Sequence, residues 1–110
     1  MDLYITIGKS ILQEYFDYYG KQGLDDAEYI PIIKVIVEGI SKSMTSTGSG
    51  KKDARDLKKI LLEFNRDLYT KEWLKHAVED KGEDQVDLEE ETKEARYYFD
   101  YIYKHGEHPH

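Results

Sequence analysis

Apolar and polar residues recur along this chain at intervals of three and four, the spacing of one face of an α-helix. The most apolar stretch is residues 30–44, IPIIKVIVEGISKSM. There Ile30, Ile32, Ile33, Val35, Ile36, Val37 and Ile40 cover most of a helical wheel, while Lys34, Glu38, Ser41 and Lys42 fall at i, i+4, i+7 and i+8. One narrow polar strip on an otherwise apolar helix predicts an element packed by neighbours on several sides. Ile and Val also suit a buried strand, but the in-phase strip and the length favour helix. Pro31 fits if it lies in the first turn, where no N–H is required of it. The other helices are expected to wrap around this segment, with Ile36 and Ile40 buried. Gly39 within it costs about 1 kcal/mol relative to Ala, a cost most easily tolerated where another backbone comes close.

A first helix is predicted over residues 3–21, with Tyr4, Ile7, Ile11, Tyr15 and Tyr18 on one stripe broadened by Leu12, Phe16 and Tyr19. Gly20 and Gly23 are its stop signals. Asp25 and Glu28 have capping-box spacing for the second helix. Residues 45–50, TSTGSG, form a short flexible link that makes the second and third helices antiparallel neighbours. The third helix starts near Lys51 with Leu57, Ile60, Leu61, Phe64 and Leu68 as its stripe. After Leu68 the apolar set slips to Tyr69, Trp73 and Ala77, and Thr70 could cap a new segment. A kink or break is therefore expected over residues 69–71, with helix resuming to about Asp80. Asp87 and Glu90 mark another cap, and a fourth helix runs to about His105, with Leu88, Thr92, Ala95, Phe99 and Ile102 inward and Gly106 beyond its end. Tyr15-Phe16-Asp17-Tyr18 recurs as Tyr98-Phe99-Asp100-Tyr101. Four residues are too few for a repeat, but they indicate similar surroundings for the first and fourth helices.

The chain of 110 residues is long enough for one domain and lacks cysteine, which removes disulfides, thiolate metal sites and cysteine nucleophiles. No apolar run is long enough to span a membrane. The start, Met-Asp, lacks the basic lead of a secretory signal, so a cytoplasmic protein is expected. The net charge of −7 is uneven: residues 51–76 carry eight Lys and Arg against five acids, whereas residues 77–110 carry four against eleven. An acidic whole disfavours non-specific contact with nucleic acid or anionic membrane.

Few motifs point to chemistry. Gly8-Lys9-Ser10 lacks the earlier glycine and the preceding strand of a P-loop, and Gly50-Lys51-Lys52 fails likewise. His105, His108 and His110 lie beside Glu107 in the closing stretch HGEHPH, of which residues 106–110 are expected to be flexible, so no metal or cofactor is expected. His76 stands alone and exposed. No Ser–His–acid or paired-carboxylate arrangement can be assembled. Two surfaces remain. Lys51, Lys52, Arg55, Lys58 and Lys59 share a helical face next to a Gly-Ser-Gly approach, a pattern suited to phosphate or simply to a solvated face. Ten tyrosines exceed what the core can use, and Tyr15, Tyr18, Tyr19, Tyr97, Tyr101 and Tyr103 are interleaved with Asp17, Glu94 and Asp100. At least one of Tyr97, Tyr101 and Tyr103 must stay exposed, since they cannot all point where Phe99 and Ile102 point.

These patterns predict an all-α fold, a compact bundle of four main helices with the third kinked or broken near residue 70, in a single domain over residues 1–110. The expected function is non-enzymatic: a small acidic protein-binding module that engages a basic partner through its acidic, tyrosine-rich face. The same aromatics could serve a homodimer. Small acidic helical proteins of this kind include inhibitors, immunity proteins and phage-type antagonists of nucleic-acid enzymes, an analogy of size and charge. The alternative is a helical subunit of a nucleoprotein complex that contacts phosphates through the stripe 51–59.

Overall fold

In the computed structural model, which describes residues 1–109, four helices account for almost the whole chain: α1 Asp2–Gln22, α2 Asp26–Ser46, α3 Lys51–Lys81 and α4 Leu88–His105, with a short 3-10 turn, Glu83–Gln85, before the last. The chain is all-α, as its periodicity predicts, and among the described residues no helix is long and apolar enough to cross a membrane. The punctuation expected from sequence recurs at the helix ends. Gly23 ends α1 in the left-handed conformation, φ 68°; its N–H donates to the Gly20 carbonyl and the N–H of Leu24 to the Tyr19 carbonyl. Gly106 does the same for α4, bonding Ile102. The Asp87 carboxylate accepts from the N–H of Glu90 at 3.2 Å and caps α4.

Long-range contacts fix the directions. The Tyr4 hydroxyl and the Thr47 hydroxyl meet at 2.9 Å, placing the start of α1 beside the end of α2. Lys58 pairs with Glu38, Tyr69 bonds Asp26, and Trp73 bonds Glu91, so consecutive helices run antiparallel. α2 and α3 touch each other and both remaining helices, whereas α1 and α4 do not touch. The bundle is therefore rhombic in section, with α2 and α3 on its short diagonal. The core between them is built from Leu12, Phe16, Ile30, Ile33, Val37, Met44, Leu57, Leu61, Tyr69, Ala95, Phe99 and Ile102.

Several expectations change. First, α3 continues through residues 69–71 with no break. Its buried residues are Leu57, Leu61, Asn65, Tyr69, Thr70 and Ala77; with half-buried Trp73 all but Thr70 fall on one i+4 row. The apparent slip arises because the polar Asn65, wholly buried, occupies the position where an apolar residue would have kept the pattern visible. Thr70 is no cap: its hydroxyl donates to the Arg66 carbonyl at 2.7 Å within the helix.

Second, α2 shares the centre with α3 and is not wrapped on all sides. Ile36 and Ile40 are only partly buried against the core, and Ile32 and Val35 are 39% and 69% exposed. Ser41, assigned to the polar strip, lies inside and donates to the Val37 carbonyl. A wheel almost full of apolar residues does not say which arc faces inward. α2 also begins at Asp26, which places Pro31 beyond the first turn.

Third, the glycine that meets a neighbour is Gly8. A Cβ there would sit 3.0 Å from a Leu61 methyl, while nothing lies within 4 Å of such a position at Gly39. Helix α4 also turns differently at its start: Leu88 is 56% exposed and Glu91 is buried in its place.

Candidate binding cleft

Helix α3, with 31 residues, outruns α1 and α2, each with 21. Tyr69 already lies level with Asp26 at the start of α2, so the last three turns of α3 project past the α1–α2 turn. The start of α4 covers one side of this overhang. The other side is open and forms a cleft of about 1280 Å³.

Four aromatic residues, Phe16, Tyr29, Tyr69 and Trp73, are part of its wall. Phe16 meets Tyr29 edge-on at 5.4 Å, Tyr69 meets Trp73 at 6.1 Å, and behind the wall Trp73 stacks on Tyr98 at 5.3 Å. The polar tips of the two anchoring rings are fixed from other helices. The Tyr69 hydroxyl donates to Asp26 Oδ2 at 2.8 Å. The Trp73 indole N–H donates to Glu91 Oε2 at 2.6 Å, and Lys81 Nζ donates to Glu91 Oε1 at 2.7 Å. Half-buried Trp73 thus lines the cleft with its donor satisfied, and Tyr69, 5% exposed, backs it from the core. The Lys81 ammonium, and then the indole, hold the Glu91 carboxyl below its usual range. Burial pushes the Tyr29 and Tyr69 hydroxyls far up.

The lining is acidic: seven carboxylates, Asp17, Asp25, Asp26, Glu72, Asp80, Glu91 and Glu94, stand against the three lysines Lys21, Lys71 and Lys81. Asp25 and Asp26 adjoin each other at the start of α2. Burial, and then the hydrogen bond shared with Asp25, push Asp26 up, while that bond and then His108 hold Asp25 down. Within the tail expected to be flexible, His108 lies against this pair, its Nε2 2.8 Å from Asp26 Oδ1 and 3.2 Å from Asp25 Oδ1. Residue 110 lies outside the described residues. One ligand atom from each of Asp25, Asp26 and His108 falls within 4.8 Å of the others, a spacing that a divalent cation could bridge.

The predicted surfaces fare differently. Because α1 and α4 do not touch, Tyr15, Tyr18 and Tyr19 belong to one patch and Tyr97, Tyr101 and Tyr103 to another. Tyr103 is core rim: it stacks on Phe99 at 5.7 Å, and the Lys34 ammonium lies 5.3 Å from its ring centre. Tyr97 is the exposed member at 58%, and half-buried Tyr101 lies 4.3 Å from the His105 ring. Asp100 is engaged by Arg66 at 3.0 Å, while Arg66 also pairs with Glu63. Asp17 accepts from Gln13 at 3.0 Å. Asp17 and Glu94 are the members of the expected face that line the cleft. The basic stripe is partly neutralised, Lys52 by Asp56 at 2.9 Å and Lys58 by Glu38 at 2.7 Å. Among the described residues Lys51, Arg55 and Lys59 have no ion pair.

Sequence reasoning missed Tyr29, Tyr69, Trp73, Asp25, Asp26 and Glu91 as a group. Asp25 has the spacing of a cap, yet its side chain caps nothing and turns instead to His108. Glu91 has the position of a dipole-complementing acid but is the acceptor for Trp73. Partners 18, 43 and 83 residues apart leave no local signal. No protein-family model matches this chain, and no curated protein or solved structure matches it.

Proposed function

We propose that this protein is a non-enzymatic binding module for a basic protein, and that the cleft between the α1–α2 turn, the α3 overhang and the start of α4 is where the partner's cationic segment sits. The cleft itself supports this reading: aromatic residues held by part-buried hydrogen bonds, lined by more than twice as many carboxylates as lysines. Aromatic faces attract cations and give large contact area at small entropic cost. Carboxylates steer a basic partner into place and discriminate against acidic ones. The inhibitor, immunity or antagonist roles expected from size and charge are the biological forms such binding would take, and Tyr97 and Tyr101 supply a further aromatic patch for the partner or for a second copy of the chain.

Trp73 is the single tryptophan and lines the cleft, so its emission reports directly on occupancy. An arginine- and lysine-rich decapeptide should shift that emission saturably, with affinity that falls as salt rises. An acidic decapeptide should leave it unchanged. Absence of binding by the basic peptide in both fluorescence and calorimetry would refute the proposal. The lysines without ion pairs on α3 favour one second reading, contact with phosphates. DNA or RNA binding at low salt that is lost in a Lys51→Glu, Lys58→Glu variant would establish it.

A further inference from the structure

The contact of His108 with the Asp25–Asp26 pair brings together segments 83 residues apart and sits on the lining of the proposed partner cleft. We infer that the Asp25–Asp26 pair is the subsite for a lysine or arginine side chain of the partner, and that the C-terminal tail occupies it in the free protein, with His108 standing in for that side chain. The inference rests on the basic-partner reading above and adds to it a competitor built into the chain.

The tail is directed there by local structure. Gly106 takes up a left-handed conformation, φ 76°, and its N–H closes on the Ile102 carbonyl at 2.7 Å. The chain therefore leaves α4 at a turn, and His108 reaches the start of α2. Two adjacent carboxylates repel each other and gain from any cation placed between them. Among the described residues, His108 is the only side chain in an ion pair with either. Asp26 is held in position by the Tyr69 hydroxyl on its other oxygen, so the subsite does not depend on the tail for its shape.

An imidazole is also a poor permanent occupant. It presents a single ring N–H to this pair, whereas a guanidinium carries five N–H donors and can bond both carboxylates at once. The three side chains of the contact are 20% to 54% exposed, which keeps it open to exchange. A strong cationic segment should therefore displace the tail at modest cost.

The test compares the full chain with His108→Ala and with a chain ending at Gly106, using a fluorescein-labelled arginine-rich decapeptide in EDTA at low salt. Both altered forms should bind about three- to tenfold more tightly than the full chain, the size of one partly exposed charged contact. Asp25→Asn, a change at an exposed residue with no capping bond, should weaken binding and shrink the difference between His108→Ala and the unaltered tail. Thermal melts confirm that each form is folded. Equal affinities with and without the tail would overturn the inference while leaving the basic-partner reading intact, as would tighter binding by the full chain. Failure of every form to bind would overturn both.

Discussion

The two halves of α3 solve the same packing problem with different chemistry. In the first half, Leu57 and Leu61 are wholly buried hydrocarbon, and two of the cations outside them pair nearby, Lys52 with Asp56 one turn on and Lys58 with Glu38 on the adjacent helix. In the second half the same ridge continues as Asn65 and Tyr69, with Trp73 partly buried beside them. Their polar atoms must find partners on distant segments or go without. Tyr69 and Trp73 find Asp26 and Glu91, while neither polar atom of the Asn65 side chain has a partner among the described residues. The first half holds the bundle together. The second carries polar groups in its buried row and lines the acidic cleft.

The largest effect should come from the hydrocarbon half. Leu61→Ala should cost ~2–5 kcal/mol in chemical denaturation, since it removes a fully buried side chain beside Gly8. A loss below ~1 kcal/mol would mean that α1 and α3 are not packed as described. The opposite sign is expected four residues later. Asn65→Leu replaces an unpartnered amide with a hydrocarbon of similar size and should stabilise the protein by about 1–2 kcal/mol. A large destabilisation there would show that the amide has a partner.

Tyr69→Phe should cost about 1 kcal/mol through loss of the bond to Asp26, and should weaken basic-peptide binding by loosening that carboxylate. Unchanged stability together with unchanged binding would remove Tyr69 from the account.

Alkaline pH offers a subtler check. Burial, and then Glu38, push the Tyr103 hydroxyl up to about 12 from its ordinary 10.0. A phenol whose folded pKa exceeds its unfolded one stabilises the fold while protonated. That contribution is complete below the unfolded value and is lost as pH rises through the folded one. Stability should therefore decline above pH ~10, and Tyr103→Phe should reduce the decline. Tyr97→Ala, by contrast, should change stability by no more than ~0.5 kcal/mol, because the side chain is mostly solvated. A larger loss would place Tyr97 in the core rim with Tyr103.

The halves of α3 also explain what could be read in advance. Helix number, most helix ends and the buried set of Leu12, Phe16, Ile33, Leu57, Leu61, Phe99 and Ile102 follow from spacing, because burial of hydrocarbon writes a period into the chain. The continuity of α3 was illegible at Asn65, where a polar residue does a core residue's job. The facing of α2 was illegible for the opposite reason, since apolar residues on every side erase the contrast. The cleft left the faintest trace. Asp25, Tyr69, Trp73 and Glu91 look locally like a cap, a misplaced aromatic, a core ring and a dipole partner, and only the antiparallel arrangement of the helices brings them together.

Amide and indole chemical-shift mapping of the full chain during titration with an arginine- and lysine-rich peptide tests the central claim most directly. Binding in the cleft predicts that the largest shifts fall on Asp25, Asp26, Tyr29, the Trp73 indole N–H and Glu91, with residues 51–59 unmoved. Shifts confined to the Tyr97–Tyr101 face or to the basic stripe, with Trp73 and Asp26 unmoved, would contradict it.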